Sequence, residues 1–179
     1  HTNDRRQRQM CIRDRYMKLL FTILLTILLS YKVFAAEFTV NLGGKGNFKD
    51  NINFPNGIEN YGIWTSQNTF TTNTYIYGSS VCSGGIHMRN GNEIQTQYII
   101  CKGESQDGYH YISRHTNVKD FNVSLDDFEY IDGSGPWKEL IGAKCTGAYL
   151  NMKEGYFLWN AKCSVTDETM KRINEFANK

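Results

Sequence analysis

The chain has 179 residues, with 20 Lys and Arg against 18 Asp and Glu, and a formal net charge of +2. Residues 1–36 hold seven of those basic and two of those acidic residues, so residues 37–179 carry 13 Lys and Arg against 16 Asp and Glu, a net −3. That balance offers no basic field to a phosphate backbone, which excludes nucleic acid as the expected partner.

Residues 1–16 contain Arg5-Arg6-Gln7-Arg8-Gln9-Met10-Cys11-Ile12-Arg13-Asp14. They read as the conceptual translation of a sequencing-library adapter, the alternative being a basic, RNA-binding-like tail. Met17-Lys18 then opens a short basic region followed by an apolar run, Leu19–Leu29, and Val33-Phe34-Ala35 offers a small-residue cleavage site before Ala36 or Glu37. Residues 17–36 are therefore expected to be a signal peptide. The apolar run is eleven residues long, short of the roughly twenty a spanning helix needs. The expectation is an exported protein, periplasmic or extracellular, with no stable membrane anchor after cleavage.

Residues 37–179 have the size of one domain and hold 20 of the 24 aromatic residues, enough for a sizeable core. Thr, Val, Ile, Tyr and Phe fall in short segments punctuated by Gly, Asn and Asp. This pattern predicts an all-β domain of antiparallel strands, near 38–42, 60–66, 69–78, 80–89, 94–102, 108–115, 118–125, 127–131, 140–151 and 156–165. Residues 43–59, with Gly43-Gly44-Lys45-Gly46 and Asn53-Phe54-Pro55-Asn56-Gly57, read as loop. One short helix closes the chain. Thr166 is a good N-cap, Asp167 and Glu168 lie in the first turn, and Met170, Ile173 and Phe176 or Ala177 share a face.

Four cysteines lie beyond the leader, Cys82, Cys101, Cys145 and Cys163, and an even count in an exported domain favours disulfides. Lys153-Glu154-Gly155 makes a three-residue hairpin loop that sets Cys145 opposite Cys163 and Tyr149 opposite Trp159. A two-residue Gly91-Asn92 turn sets Cys82 opposite Cys101, although a competing Asn90-Gly91 turn would shift that register. Opposed strand residues suit disulfide geometry, so the expected pairs are Cys82–Cys101 and Cys145–Cys163. No Cys-x₂₋₄-Cys spacing points to zinc.

Chemistry is sparse. His110 and His115 fall on opposite strand faces. Asp126-Asp127, Glu129 and Asp132 form an acidic cluster best read as a solvated turn, and Asp127 with Glu129 as a glycosidase pair is a weak alternative. No Gly-x-Ser-x-Gly elbow occurs, and no catalytic residue, metal or cofactor is predicted. Aromatic stripes remain. Phe157 and Trp159 share a face with Ala161, Tyr149 meets them from the neighbouring strand, and Tyr109 and Tyr111 share a face with His115 beyond. These are core residues, or else they line a cavity for a small-molecule ligand.

Tyr61-Gly62-Ile63-Trp64-Thr65, Val81-Cys82-Ser83-Gly84, Ile100-Cys101, Asp107-Gly108, Tyr130–Gly142, Lys144-Cys145 and Lys162-Cys163 together resemble a group of uncharacterised exported proteins from marine bacteria, over about residues 61–165. Gly133-x-Gly135-x-Trp137-x-x-Leu140-Ile141-Gly142 is also similar to a strand-linking turn of calycin-like barrels, the group that includes allene oxide cyclase-like folds. The resemblance implies an antiparallel barrel, with a sandwich of about eight strands as the related alternative. The residues themselves offer packing and disulfide staples but no nucleophile–base set, so the expected function is a non-enzymatic module holding a small apolar or amphipathic ligand. The alternatives are an isomerase or cyclase using the barrel pocket, with His115 or Glu129 as its polar group, and a surface-interaction protein with an exposed aromatic patch around Trp64 or Trp137. No protein partner is specified.

Overall fold

The computed structural model describes residues 35–177, in which eight antiparallel strands close into a barrel in up-and-down order. They are β1 (Ala35–Asn53), β2 (Glu59–Thr72), β3 (Tyr77–Arg89), β4 (Glu93–Ser105), β5 (His110–Thr116), β6 (Val123–Gly133), β7 (Lys144–Asn151) and β8 (Tyr156–Thr166). A 3-10 turn, Gly135–Leu140, lies between β6 and β7, and helix α1 (Asp167–Ala177) follows β8. Because β1 pairs with both β2 and β8, every strand has two neighbours, and the unpaired edges that a sandwich would expose are absent. Most of the adapter-like and leader segments lies outside the described residues. Ala35 and Ala36 are already paired with Thr166 and Val165.

The first strand is longer than its composition predicts. Residues 43–53 continue β1 instead of forming a loop, and the true connection to β2 spans 54–58. Gly46 shows why glycine is used inside a strand here. The indole of Trp64 lies over it, and a Cβ at that position would overlap the ring. The predicted segments 60–66 and 69–78 are likewise β2, the turn that follows it and the first two residues of β3. Residues 118–125 are half loop, and residues 140–143 belong to the 3-10 turn and its exit.

Both cysteine pairs sit at disulfide-bonding distance. In the β7–β8 hairpin the Met152 N–H bonds the Tyr156 carbonyl, and Cys145 faces Cys163 as Tyr149 faces Trp159. The β3–β4 hairpin reaches its pairing by another route. Its tip is a three-residue loop, Asn90-Gly91-Asn92, with Asn90 and Gly91 at φ 53° and 85°, which pairs Arg89 with Glu93. That register alone would leave the cysteines one residue out of step. A bulge opposite His87 and Met88 inserts Gln95 and brings Cys82 back opposite Cys101. Two such pairs place the protein in an oxidising, non-cytoplasmic environment.

One end of the barrel is plugged. Trp137 and Leu140 of the 3-10 turn and Ile173 of α1 have no exposed surface, and Phe38 is fully covered beside them. Trp137 packs against Phe38, Phe70, Tyr111 and Tyr130 at ring separations of 6.0, 5.4, 4.6 and 5.6 Å. The helix starts where Thr166 Oγ1 accepts the Thr169 N–H at 3.1 Å, a cap contributing about 1 kcal/mol. Arg172 ties α1 to the turn through Glu139 at 2.7 Å.

The opposite end carries the connections 54–58, 90–92, 117–122 and 152–155. Residues 117–122 fold across it. Val118 is buried, and Phe121 lies 5.1 Å from Phe48 and 5.5 Å from Trp64. The segment is held by backbone bonds from Phe121 to Asn92 and from Ile94 to Lys119, and by donation from Tyr149 Oη to the Asp120 carbonyl.

Candidate functional site

Between the plug and the covered mouth the barrel keeps a cavity of about 100 Å³, bounded by aromatic rings, by the Cys82–Cys101 pair and by several polar side chains. Its existence follows from β2. The inward positions of this strand run Trp64, Ser66, Asn68, Phe70, so two small polar residues occupy the middle of the barrel where a packed core would place bulk.

The polar groups divide into two sets. The first is unfinished. Asn68 Nδ2 donates to Ser80 Oγ at 3.2 Å and approaches Cys82 Sγ at 3.3 Å, but Asn68 Oδ1 and Ser66 Oγ are buried without a hydrogen-bond partner. Leaving such atoms bare costs about 1–3 kcal/mol each, so the site favours an occupant that can pair with them.

The second set is complete. On β5 the side chains of Tyr111, Ser113 and His115 point inward at every second residue. Ser113 Oγ is 3.0 Å from His115 Nε2, and His115 Nδ1 is 2.9 Å from Asp126 Oδ2 on β6. Trp159 Nε1 of β8 donates to Asp126 Oδ1 at 2.9 Å. Because the carboxylate accepts from both sides, it places the imidazole proton on Nδ1 and leaves Nε2 to accept the Ser113 hydroxyl. The His115 ring stacks on Phe128 at 5.2 Å and meets Trp159 at 5.3 Å, the two rings themselves touching at 4.8 Å in one aromatic cluster. Gly147 makes the long reach of Trp159 feasible. It lies between Asp126 and the β8 strand, and a Cβ there would overlap both Asp126 Oδ1 and Trp159 Nε1.

Five of the six aromatic and histidine residues proposed from sequence line this cavity: Tyr111, His115, Tyr149, Phe157 and Trp159. Tyr109 does not. It sits half-buried at the plugged end, edge-on to Phe176 of α1 at 5.5 Å, because β5 begins only at His110. Cys82 and Cys101 also face the cavity, whereas Cys145 and Cys163 belong to the core at the plugged end.

Glu129 points outward and pairs with Arg114, and Asp127 pairs with Asn117 at 2.8 Å, so neither carboxylate reaches the interior. The acidic cluster is not a solvated turn but part of β6, and its first member, Asp126, is buried at 4% exposure. Sequence reasoning missed Asp126 and Ser113. A signal was present: Asp126 shares strand parity with Phe128 and Tyr130, which puts a carboxylate on the apolar face.

Three phenols line the cavity around the relay. Burial pushes the Tyr111 hydroxyl up to about 12, a rise partly offset by its hydrogen bond with Ser80. Burial also holds Tyr130 well above the ordinary tyrosine range, with the Tyr111 charge adding to the effect. Tyr149 is raised too, by burial first and then by the charges of Asp120 and Asp126. These groups release protons more readily in the unfolded chain. Their contribution is therefore complete below pH about 10; that of Tyr111 is lost as pH rises toward about 12, and those of Tyr130 and Tyr149 at still higher pH. For Tyr111 alone that rise corresponds to about 3 kcal/mol. Urea unfolding at stepped pH is expected to show flat stability below pH about 10 and a steep fall above it. The slope should be shallower in Tyr111→Phe, and an unchanged slope would refute the assignment.

No family model matches this chain, and no curated protein does. Among solved structures it is similar to a protein with unknown function from Clostridium acetobutylicum ATCC 824, at 9% identity and TM-score 0.50, covering 73% of this chain and 97% of the other. That similarity concerns the fold alone.

Proposed function

We propose that the protein is an exported, calycin-like binding barrel that holds one small amphipathic molecule in its lumen. Export to the periplasm or beyond the cell would be directed by residues 17–36, and the two cysteine pairs are consistent with that destination. The observation that carries the binding reading is the pair of unpartnered polar atoms, Ser66 Oγ and Asn68 Oδ1, in an otherwise aromatic cavity of about 100 Å³. Asn68 Oδ1 asks for a donor and Ser66 can take either role, so the ligand's polar group carries N–H or O–H. An engineered 150 Å³ apolar cavity accepts benzene, so a space of this size suits roughly four to six heavy atoms.

Native mass spectrometry of residues 37–179 produced in an oxidising compartment would detect a carried molecule as mass lost on denaturation. A titration with isobutyramide tests the site directly, because Trp64 and Trp159 line it and report by fluorescence. Saturable binding, on the order of millimolar for so small a molecule, is expected, and weaker binding in Asn68→Leu. An absence of saturation, together with a clean apo mass, would overturn the reading.

A further inference from the structure

We propose that Ser113, His115 and Asp126 form a nucleophilic relay, and that the barrel cleaves or transfers short acyl esters through Ser113. The inference rests on the binding reading above, since the acyl group would occupy the same cavity. The bonding order carries it. Serine hydroxyl to imidazole Nε2 at 3.0 Å, and imidazole Nδ1 to carboxylate at 2.9 Å, is the arrangement by which a histidine takes a serine proton while an acid fixes its tautomer.

A merely structural network would not need the remaining features. Ser113 faces the cavity, not a packed wall, and the His115 ring packs into a cluster with Phe128 and Trp159. Asp126 is held by a second donor, Trp159, for which Gly147 leaves the space. Sites of this kind need a base fixed in orientation by neighbours that are themselves fixed.

The step balances without a cofactor. Ser113 Oγ attacks the ester carbonyl carbon, and its proton passes to His115 Nε2. The tetrahedral intermediate collapses by breaking the carbon–oxygen bond to the alcohol, which leaves with the proton from His115. Water, deprotonated by His115 in turn, attacks the acyl-serine and releases the acid, restoring the serine hydroxyl. The developing oxyanion needs O–H or N–H donors, and the strand amides are committed to the barrel ladders. Tyr111 and Tyr130 both line the cavity, beside the unpartnered Ser66 hydroxyl, with Tyr130 directly across from Ser113 in the β5–β6 register. Their buried hydroxyls keep their protons and can donate. The cavity volume limits the acyl group to roughly two to four carbons.

The test is incubation of the oxidised protein with methanesulfonyl fluoride, a five-atom reagent small enough to enter. Attack by Ser113 forms the sulfur–oxygen bond and expels fluoride. Intact mass and peptide mapping are expected to show one sulfonyl adduct, on Ser113, with a labelling rate at least about 100-fold lower in His115→Gln. Asp126→Asn should slow labelling and move its pH profile, which a purely structural role would not do. Saturable isobutyramide binding without an adduct would overturn the relay and leave the binding reading intact. Neither binding nor adduct would overturn both, and an adduct on a tyrosine instead of Ser113 would overturn the relay.

Discussion

Removing the Cys145–Cys163 pair by Cys145→Ala and Cys163→Ala together is expected to lower the unfolding free energy by about 3 kcal/mol. The Cys82→Ala, Cys101→Ala variant should lose a similar amount. Each link closes a loop of 18 or 19 residues, and the chain-entropy model gives about 3 kcal/mol for that length. The two loops do not overlap in sequence, so the losses should add to about 6 kcal/mol, comparable with the whole stability of many domains. The Cys145–Cys163 variant should be the costlier by a margin, because Cys163 has no exposed surface and its truncation also leaves a void in the plugged core. Urea unfolding of the oxidised protein and of each variant checks this. A loss of 3 kcal/mol should move the midpoint by roughly 1.5–2 M, and a shift under about 0.5 M would show that the links contribute little.

Trp137→Ala is expected to cost about 4 kcal/mol and to lower the melting temperature by roughly 12 °C. This side chain seals the plugged end by contact with Phe38, Phe70, Tyr111 and Tyr130, and nothing nearby can fill its space. Its indole N–H is buried without a partner, so part of what it contributes through packing is already offset. Trp137→Phe should therefore cost much less than Trp137→Ala. Thermal unfolding followed by circular dichroism would separate the two variants. Equal losses would mean that ring contact is not the source of the stability. Loss of the plug should also shift α1, which rests on it through Ile173 and the Arg172–Glu139 pair.

Local chemistry explains what was readable in the chain. Strand alternation, turn residues and the capping pattern at Thr166 act over two to five residues, so the all-β class, the terminal helix and the β7–β8 register follow from the sequence alone. The β3–β4 pairing was read from a turn that does not form, and it holds because the Gln95 bulge offsets the different loop by one residue. The glycine-rich stretch 43–46 was misread because a glycine's role in a strand depends on what lies over it, and Trp64 is 18 positions away in sequence.

The candidate site shows the same division more sharply. The inward parity of Tyr111, His115, Phe157 and Trp159 is a property of single strands and follows from their alternation. Whether those residues enclose space or fill it depended on barrel closure, which joins β1 to β8 across more than a hundred residues. Only closure sets the small side chains of Ser66 and Asn68 opposite the aromatic wall and leaves a cavity. The relay was likewise decided in three dimensions. Ser113 and His115 are ordinary neighbours on one strand until pairing brings Asp126 beside them and Gly147 opens the path by which Trp159 reaches its carboxylate. Hydrogen bonds between side chains on different strands are fixed by register and curvature, and no local pattern in the chain encodes those.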